Sequence, residues 1–197
     1  MPQIPFQGKH KRDLFMEPEE FRRLLKAAED DTDVTRIFLS MCPGGLRTIE
    51  VTWARVKALD KSKKGLWVKT AKRRDKWVRF VGLDSTVMET LQASAKRRQE
   101  GDPLFRYNGK GVTKRQIRYL FHKYKALAGI RHALGPHSLR HLTGIILSES
   151  GSSPQEVANY LGHSNLKQVM VYANLRTQRS QQMASEAGKV LFGQPVS

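Results

Sequence analysis

Apolar residues recur at helical spacing through MEPEEFRRLLKAAED, where Phe21, Leu24, Leu25 and Ala28 share a face, and again in DVTRIFLSMC, with Val34, Ile37, Phe38 and Met41. Two successive helices are predicted, the second punctuated by PGG at 43–45. After LRTIEVTWARV the period shortens. ARVKALD, GLWVKT and KWVRFVGL are short, rich in β-branched and aromatic residues, and separated by basic polar turns, which predicts a small antiparallel sheet of three strands. Helical spacing returns in STVMETLQASAKRRQ, with Val87, Met88 and Leu91, and in TKRQIRYLFHKYKALAG. In the latter Ile117, Leu120, Phe121, Tyr124 and Leu127 line one face, and Gly129 is placed to stop the helix.

From residue 135 the pattern divides into three short helices. Pro136 suits the first turn of one whose apolar face is Leu139, Leu142, Ile145 and Ile146, ending at Gly151. Ser153-Pro154-Gln155-Glu156 has the form of a capping box with proline at the first helical position, and Val157, Tyr160 and Leu161 give the face that follows. Gly162 breaks that helix just before His163, and Ser164 caps a third one carrying Leu166, Val169 and Met170, with Tyr172 two residues on. His163 therefore falls on a turn, while His137, Arg140 and His141 share one helix face. Residues 1–13 mix proline, glycine and basic residues without periodicity and read as a linker or flexible arm.

Composition changes this picture mainly through charge. With 197 residues and 39% apolar content the chain can bury one sizeable core, and 35 Lys and Arg against 18 Asp and Glu give +17. Such a surplus favours a polyanion, of which nucleic acid is the commonest, and its spread along the whole chain suits a broad binding face better than a tail. A basic structural protein of the ribosomal kind is the plain alternative. Cys42 stands alone, which excludes a disulfide framework and a thiolate metal cluster and fits a reducing compartment. No run of about 18 apolar residues exists and the first residues lack the apolar core of a signal peptide, so no membrane partner is expected. The expected location is cytoplasmic, at the nucleoid if the source is prokaryotic.

The polar groups of the 135–174 segment suggest a reaction. Arginine matches phosphate oxygens with a planar fork of donors and stays charged, so Arg140 beside His137 offers a phosphate clamp next to a group that moves protons near neutral pH. A tyrosine hydroxyl is a poor nucleophile unaided, but a clamped phosphate and a nearby base would make attack feasible, which suggests phosphoryl transfer to Tyr172. Each residue alone has an ordinary reading: a solvated arginine, a turn histidine, a tyrosine packed in a core. His137 and His141 also have the spacing of a helical zinc pair, but Arg140 lies between them and no glutamate follows His137, so no metal is expected.

HSLRH, followed 23 positions beyond Arg140 by the histidine of LGHSN and nine further by VYAN, resembles the second box of the tyrosine recombinase, or phage integrase, family. GGLRTIEV resembles the first box, with Arg47 at its catalytic arginine and Glu50 at the acidic residue three positions later. GLWVKTAKRRDKWVRF is similar to the family's lysine hairpin, with Lys72 the best match and Lys69 the alternative among its crowded basic residues. Two departures stand out: PGG replaces the usual small turn before the arginine, and Arg79 stands where the family commonly has proline.

The resemblance implies an α+β, mainly helical catalytic domain over residues 14–179 with a small three-stranded antiparallel sheet, and a carboxy-terminal tail, 180–197, that docks on a neighbouring protomer. It also implies cleavage and rejoining of double-stranded DNA. Tyr172 would attack the phosphodiester, leaving a 3′-phosphotyrosyl link and a 5′-hydroxyl. Arg47 and Arg140 would neutralise the non-bridging oxygens, His137 would accept or shuttle the tyrosine's proton, His163 would bond a non-bridging oxygen, and Lys72 would protonate the leaving oxygen. His141 would stand behind these groups. No cofactor or metal is needed, and a homo-oligomer, a tetramer on recombining sites, is implied. Family members usually carry an additional amino-terminal DNA-binding domain, and the linker-like start suggests either an excised catalytic domain or a protein that naturally lacks it. The rivals are a type IB topoisomerase, which uses similar groups, and a noncatalytic DNA-binding relative.

Overall fold

In the computed structural model, residues 15–70 and 78–163 are described. Pro18 opens helix α1 (Pro18–Ala27), where a missing amide hydrogen costs nothing, and the Glu20 carboxylate reaches back to the Glu17 amide at 2.9 Å. Asp31 caps α2 (Thr32–Met41) by accepting from the Val34 amide. The apolar stripe of α2 is fully buried at Val34, Ile37, Phe38 and Met41. Each such large apolar side chain contributes roughly 1.5–3 kcal/mol relative to exposure, more than helix propensity supplies.

The turn after α2 leads into α3 (Thr48–Trp53), with Arg47 as its N-cap residue. A 3-10 turn at Val56–Ala58 precedes β1 (Leu59–Asp60), which pairs antiparallel with β2 (Gly65–Lys69), and β2 pairs antiparallel with β3 (Val78–Gly82). The three-stranded sheet is as expected, but the middle of the first predicted strand is 3-10, leaving only two residues in the ladder. Asp84 caps α4 (Ser85–Ala95), and a two-residue hairpin, β4 (Arg106–Tyr107) with β5 (Lys110–Gly111), turns at Asn108 and Gly109, both with positive φ. Thr113 and Gln116 cap α5 (Lys114–Leu127), and Gly129, at φ 67, lies just past its end.

The chain forms two units, Met1–Leu142 and Thr143–Ser197. In the first, α1 and α3 pack on α5, α2 packs on α3 and α4, and α3 lies against β2. Phe38 meets Phe121 and Tyr124 edge-on, with centroids 6.3 and 6.2 Å away. Leu127, expected on the buried face of α5, is 65% exposed: it is the helix's final residue and sits on the rim of a groove beside Ala27 and Asp30. Helix α6 (His137–Glu149) begins in this unit and runs into the second.

In the second unit α7 (Pro154–Leu161) starts with the predicted capping box: Ser153 accepts from the Glu156 amide and Glu156 from the Ser153 amide. Val157, Ala158 and Leu161 form its core with Ile145, Leu147 and Tyr160 packed around them. Ile146, assigned above to the buried face of α6, is 38% exposed, because the helix turns Ile145 and Leu147 to that core instead. Among the described residues no helix is long and apolar enough to cross a membrane.

Candidate active site

The site starts from the turn between α2 and α3. Gly45 adopts the left-handed conformation, φ 64, and a side chain at Gly44 would collide with the Ser40 carbonyl. PGG is therefore the chemistry that lets the chain double back tightly, closed by the Leu46 amide donating to the Ser40 carbonyl at 3.1 Å. This delivers Arg47 to the N-cap of α3, where its amide donates to Glu50 Oε2 at 2.9 Å and its guanidinium to Glu50 Oε1 at 2.8 Å. Arginine has no acceptor, so only the glutamate half of a capping box operates here.

Glu50 is 1% exposed, and two further guanidiniums approach it. Arg79, on the inward face of β3, donates through Nη2 to Oε2 at 3.1 Å, and Arg140 Nη1, from the first turn of α6, lies 4.0 Å from the same oxygen. Arg140 Nη1 donates instead to the Gly45 carbonyl. Burial pushes the Glu50 carboxyl up. Arg79, then the amide and guanidinium of Arg47, then Arg140 pull it down, and the balance lies below the ordinary carboxylate value. Glu50 is ionised at neutral pH. Among the described residues one carboxylate thus faces three guanidiniums, a cationic setting suited to an anion.

His137 and His141, one turn apart on α6, meet edge-on at 5.2 Å, and Phe15 stacks edge-on against His141 at 6.2 Å. The His137 imidazole is drawn down to about 4 by burial first, then by His141, Arg140 and Arg47, with Glu50 opposing. His137 is solvent-exposed as a whole residue, and water reaching it moderates this drop. His141 is lowered as well, by burial and by Arg140. Both imidazoles are neutral near pH 7 and able to accept a proton. Among the described residues no group of three or more His, Cys, Asp and Glu could hold a metal ion. Beside His137 opens a cleft of about 500 Å³, lined also by Thr48, Lys114, Arg118, His122 and Lys125, a cationic wall leading to the site.

Strand alternation separates the two hairpin lysines. Val68 and Arg79 are register partners on the buried face, whereas Lys69 and Val78 are partners on the open face, with Lys69 Nζ 5.5 Å from the Trp53 ring. Lys69 thus leaves β2 on the face opposite Arg79, and its amine rests against Trp53 at the end of α3. Lys72 lies outside the described residues, as does Tyr172. His163 follows Gly162, the left-handed C-cap of α7, is half-buried, and donates its amide to the Ala158 carbonyl at 2.8 Å. The turn position expected for it is observed.

Arg47, Glu50, His137, Arg140 and His141 are thus brought together as one site. Arg79 was missed as a site residue. It stood out in the sequence only as an unusual residue, and its one available signal was a charge at an inward strand position.

Comparison with known proteins identifies the family and the fold. The family model described as the phage integrase family matches residues 14–179. A tyrosine recombinase XerC from Halalkalibacterium halodurans is 26% identical over 189 residues, 88% of this chain and 61% of the relative. Another XerC, from Thermodesulfovibrio yellowstonii, is 27% identical over 154 residues, 74% of this chain and 50% of that protein. The chain therefore spans about half to three-fifths of the curated relatives it matches. Among solved structures, XerA recombinase superposes with a TM-score of 0.75 at 20% identity, covering 99% of this chain and 67% of that one. XerH bound to palindromic difH in a post-cleavage complex gives 0.72 at 19% identity, covering 89% and 53%. These likenesses establish a shared fold, the mainly helical α+β catalytic-domain fold with its small sheet.

Proposed function

Because the chain belongs to the phage integrase family, we propose that it is the catalytic domain of a tyrosine-type site-specific DNA recombinase, cutting and rejoining strands through a 3′-phosphotyrosyl intermediate. The observation that carries this reading is the meeting of Arg47 and Arg140, from distant parts of the chain, on one buried carboxylate beside imidazoles held neutral. Two fixed guanidiniums are the strongest stabilisers available for a phosphorane whose non-bridging oxygens gain charge.

In this mechanism the Tyr172 oxygen attacks phosphorus while its proton passes to His137, whose depressed basicity keeps it unprotonated and receptive at neutral pH. The bond to the 5′-oxygen breaks, and that oxygen takes a proton from Lys72. Placement of Lys69 on the open face of β2 supports Lys72 over Lys69 for this role. His163 bonds a non-bridging oxygen. The covalent link retains the energy of the broken bond, so rejoining runs the same steps in reverse without a nucleotide or metal.

Residues 14–179 form the catalytic domain in this reading, 1–13 an arm, and 180–197 a segment that docks on a neighbour within a tetramer on DNA. The cationic cleft beside His137 supports double-stranded DNA as the partner. The test uses nicked duplexes of randomised core sequence. The protein should form a denaturant-resistant adduct, mapped to Tyr172, that Tyr172→Phe abolishes without loss of DNA binding. Relaxation of supercoiled plasmid without strand exchange would favour a type IB topoisomerase, and binding without any adduct would favour a noncatalytic relative.

A further inference from the structure

Among the described residues the buried charged side chains are Arg47, Glu50, Arg79 and Arg140, and all four belong to one cluster. Three of these follow from the recombinase reading. Arg79 does not, and it occupies an inward position of β3, between the buried Leu66–Val81 pair and the end of the hairpin, where an apolar side chain would fill the space without desolvating a charge.

The geometry gives it a task. Glu50 Oε2 accepts from the Arg47 amide at 2.9 Å and from Arg79 Nη2 at 3.1 Å, which uses both lone pairs of that oxygen. Arg140 Nη1 stands off at 4.0 Å from the same atom and donates to the Gly45 carbonyl. Arg79 and Arg140 compete for one carboxylate oxygen, and Arg79 holds it.

We propose that Arg79 is a positioning residue for strand cleavage: by occupying Glu50 Oε2 from β3, it keeps Arg140 from collapsing onto the carboxylate and leaves its guanidinium oriented for the scissile phosphate. It also shares out a negative charge that Arg47 and Arg140 would otherwise neutralise by themselves. Among the described residues the cluster sets three guanidiniums against one carboxylate. A phosphodiester has one negative charge and its pentacoordinate transition state two, so a guanidinium kept free to face the phosphate gains most in the transition state. Without Arg79, Arg140 is drawn towards Glu50.

This inference rests on the strand-transfer reading, and the test separates the two. Single-turnover cleavage is measured at saturating DNA for wild type, Arg79→Met, Arg79→Gln, Arg79→Lys, Glu50→Gln and the double variant Glu50→Gln/Arg79→Met, with thermal melts to confirm folding. Arg79→Met and Arg79→Gln should cleave about 100-fold more slowly, the scale of a catalytic group misplaced by about 1 Å, with DNA affinity nearly unchanged. Arg79→Lys, which keeps a cationic donor, should recover most of the rate. The double variant should be faster than the product of the single effects, because a neutral amide attracts Arg140 less. If Arg79→Met does not fold, Arg79→Gln, which stays polar but loses the positive charge and the reach to Glu50, carries the comparison. Wild-type cleavage with unaltered rates in the Arg79 variants, or single effects that multiply, would overturn the inference alone. A wild-type chain that forms no adduct would overturn the strand-transfer reading and this inference with it.

Discussion

The guanidinium of Arg140, on the first turn of α6, donates to the carbonyl of Gly45, in the turn that delivers Arg47. The two arginines are thus linked through backbone as well as through Glu50, and the tightness of the turn sets their spacing. A side chain at Gly44 would meet the Ser40 carbonyl, a backbone atom that cannot swing away, and the Leu83 side chain at 3.1 Å. Gly44→Ala should therefore destabilise by about 1–3 kcal/mol, the usual cost of overpacking, and slow cleavage beyond what lost stability explains. Gly101→Ala, where nothing lies within 4 Å, serves as the control and should melt like wild type. Equal melting temperatures for both variants would show that the turn yields more readily than its geometry implies.

Acid should weaken the fold through three groups at this site, His137, His141 and Glu50. His137 is drawn from 6.5 down to about 4, so the unfolded chain binds the proton first, and stability is fully kept above pH 6.5 and lost as pH falls towards 4. Glu50 is lowered from 4.5, so its contribution is present above that pH and is lost further down, as the folded carboxylate takes up a proton. Urea midpoints should be flat above neutrality and decline below about pH 6.5, and His137→Gln should make the earlier part of the decline shallower, leaving the share that His141 contributes. A midpoint in His137→Gln that tracks wild type throughout would assign the acid response elsewhere.

Much of this architecture was legible because its signals are local. The capping box at Ser153, the stop at Gly129 and the left-handed Gly162 are short-range backbone requirements written in two to four residues. The hairpin of β4 and β5 carried an Asn-Gly signal at 108–109, but arms of two residues are too short to show alternation. Helix α3 went unassigned because six residues give less than two turns of pattern, and its start is fixed by Glu50 reaching back to the Arg47 amide. The Arg79–Glu50 pair could not be read at all. It depends on strand register and on α3 packing against β2, which join residues 29 apart.

The cationic wall beside His137 makes a quantitative statement about DNA binding. Lys114 and Arg118 lie one turn apart on α5 and, with Lys125, line the cleft that opens at the start of α6. Each phosphate they neutralise releases counterions, so the slope of log affinity against log salt counts contacts. Arg118→Ala should weaken binding similarly on all sequences and reduce that slope by about 1. An unchanged slope measured on duplex fragments would place the DNA backbone away from this cleft.

The hairpin lysines allow the general acid to be identified by chemistry. Lys69 lies on the open face of β2 over Trp53, opposite the face on which Arg79 reaches Glu50, so a proton donor is sought further along the hairpin, at Lys72. A 5′-alkoxide is a poor leaving group without a proton, whereas a 5′-thiolate leaves readily at neutral pH. Lys72→Ala should therefore cleave ordinary DNA more slowly by about 100-fold, the scale of a lost acid catalyst, and recover when the bridging 5′-oxygen is replaced by sulfur. Lys69→Ala should slow both substrates alike if it only touches phosphate, because a lost charge contact does not depend on the leaving atom. Selective rescue of Lys69→Ala by the sulfur-containing strand would show that Lys69 crosses from the open face to the scissile phosphate when DNA binds, and would transfer the acid role to it.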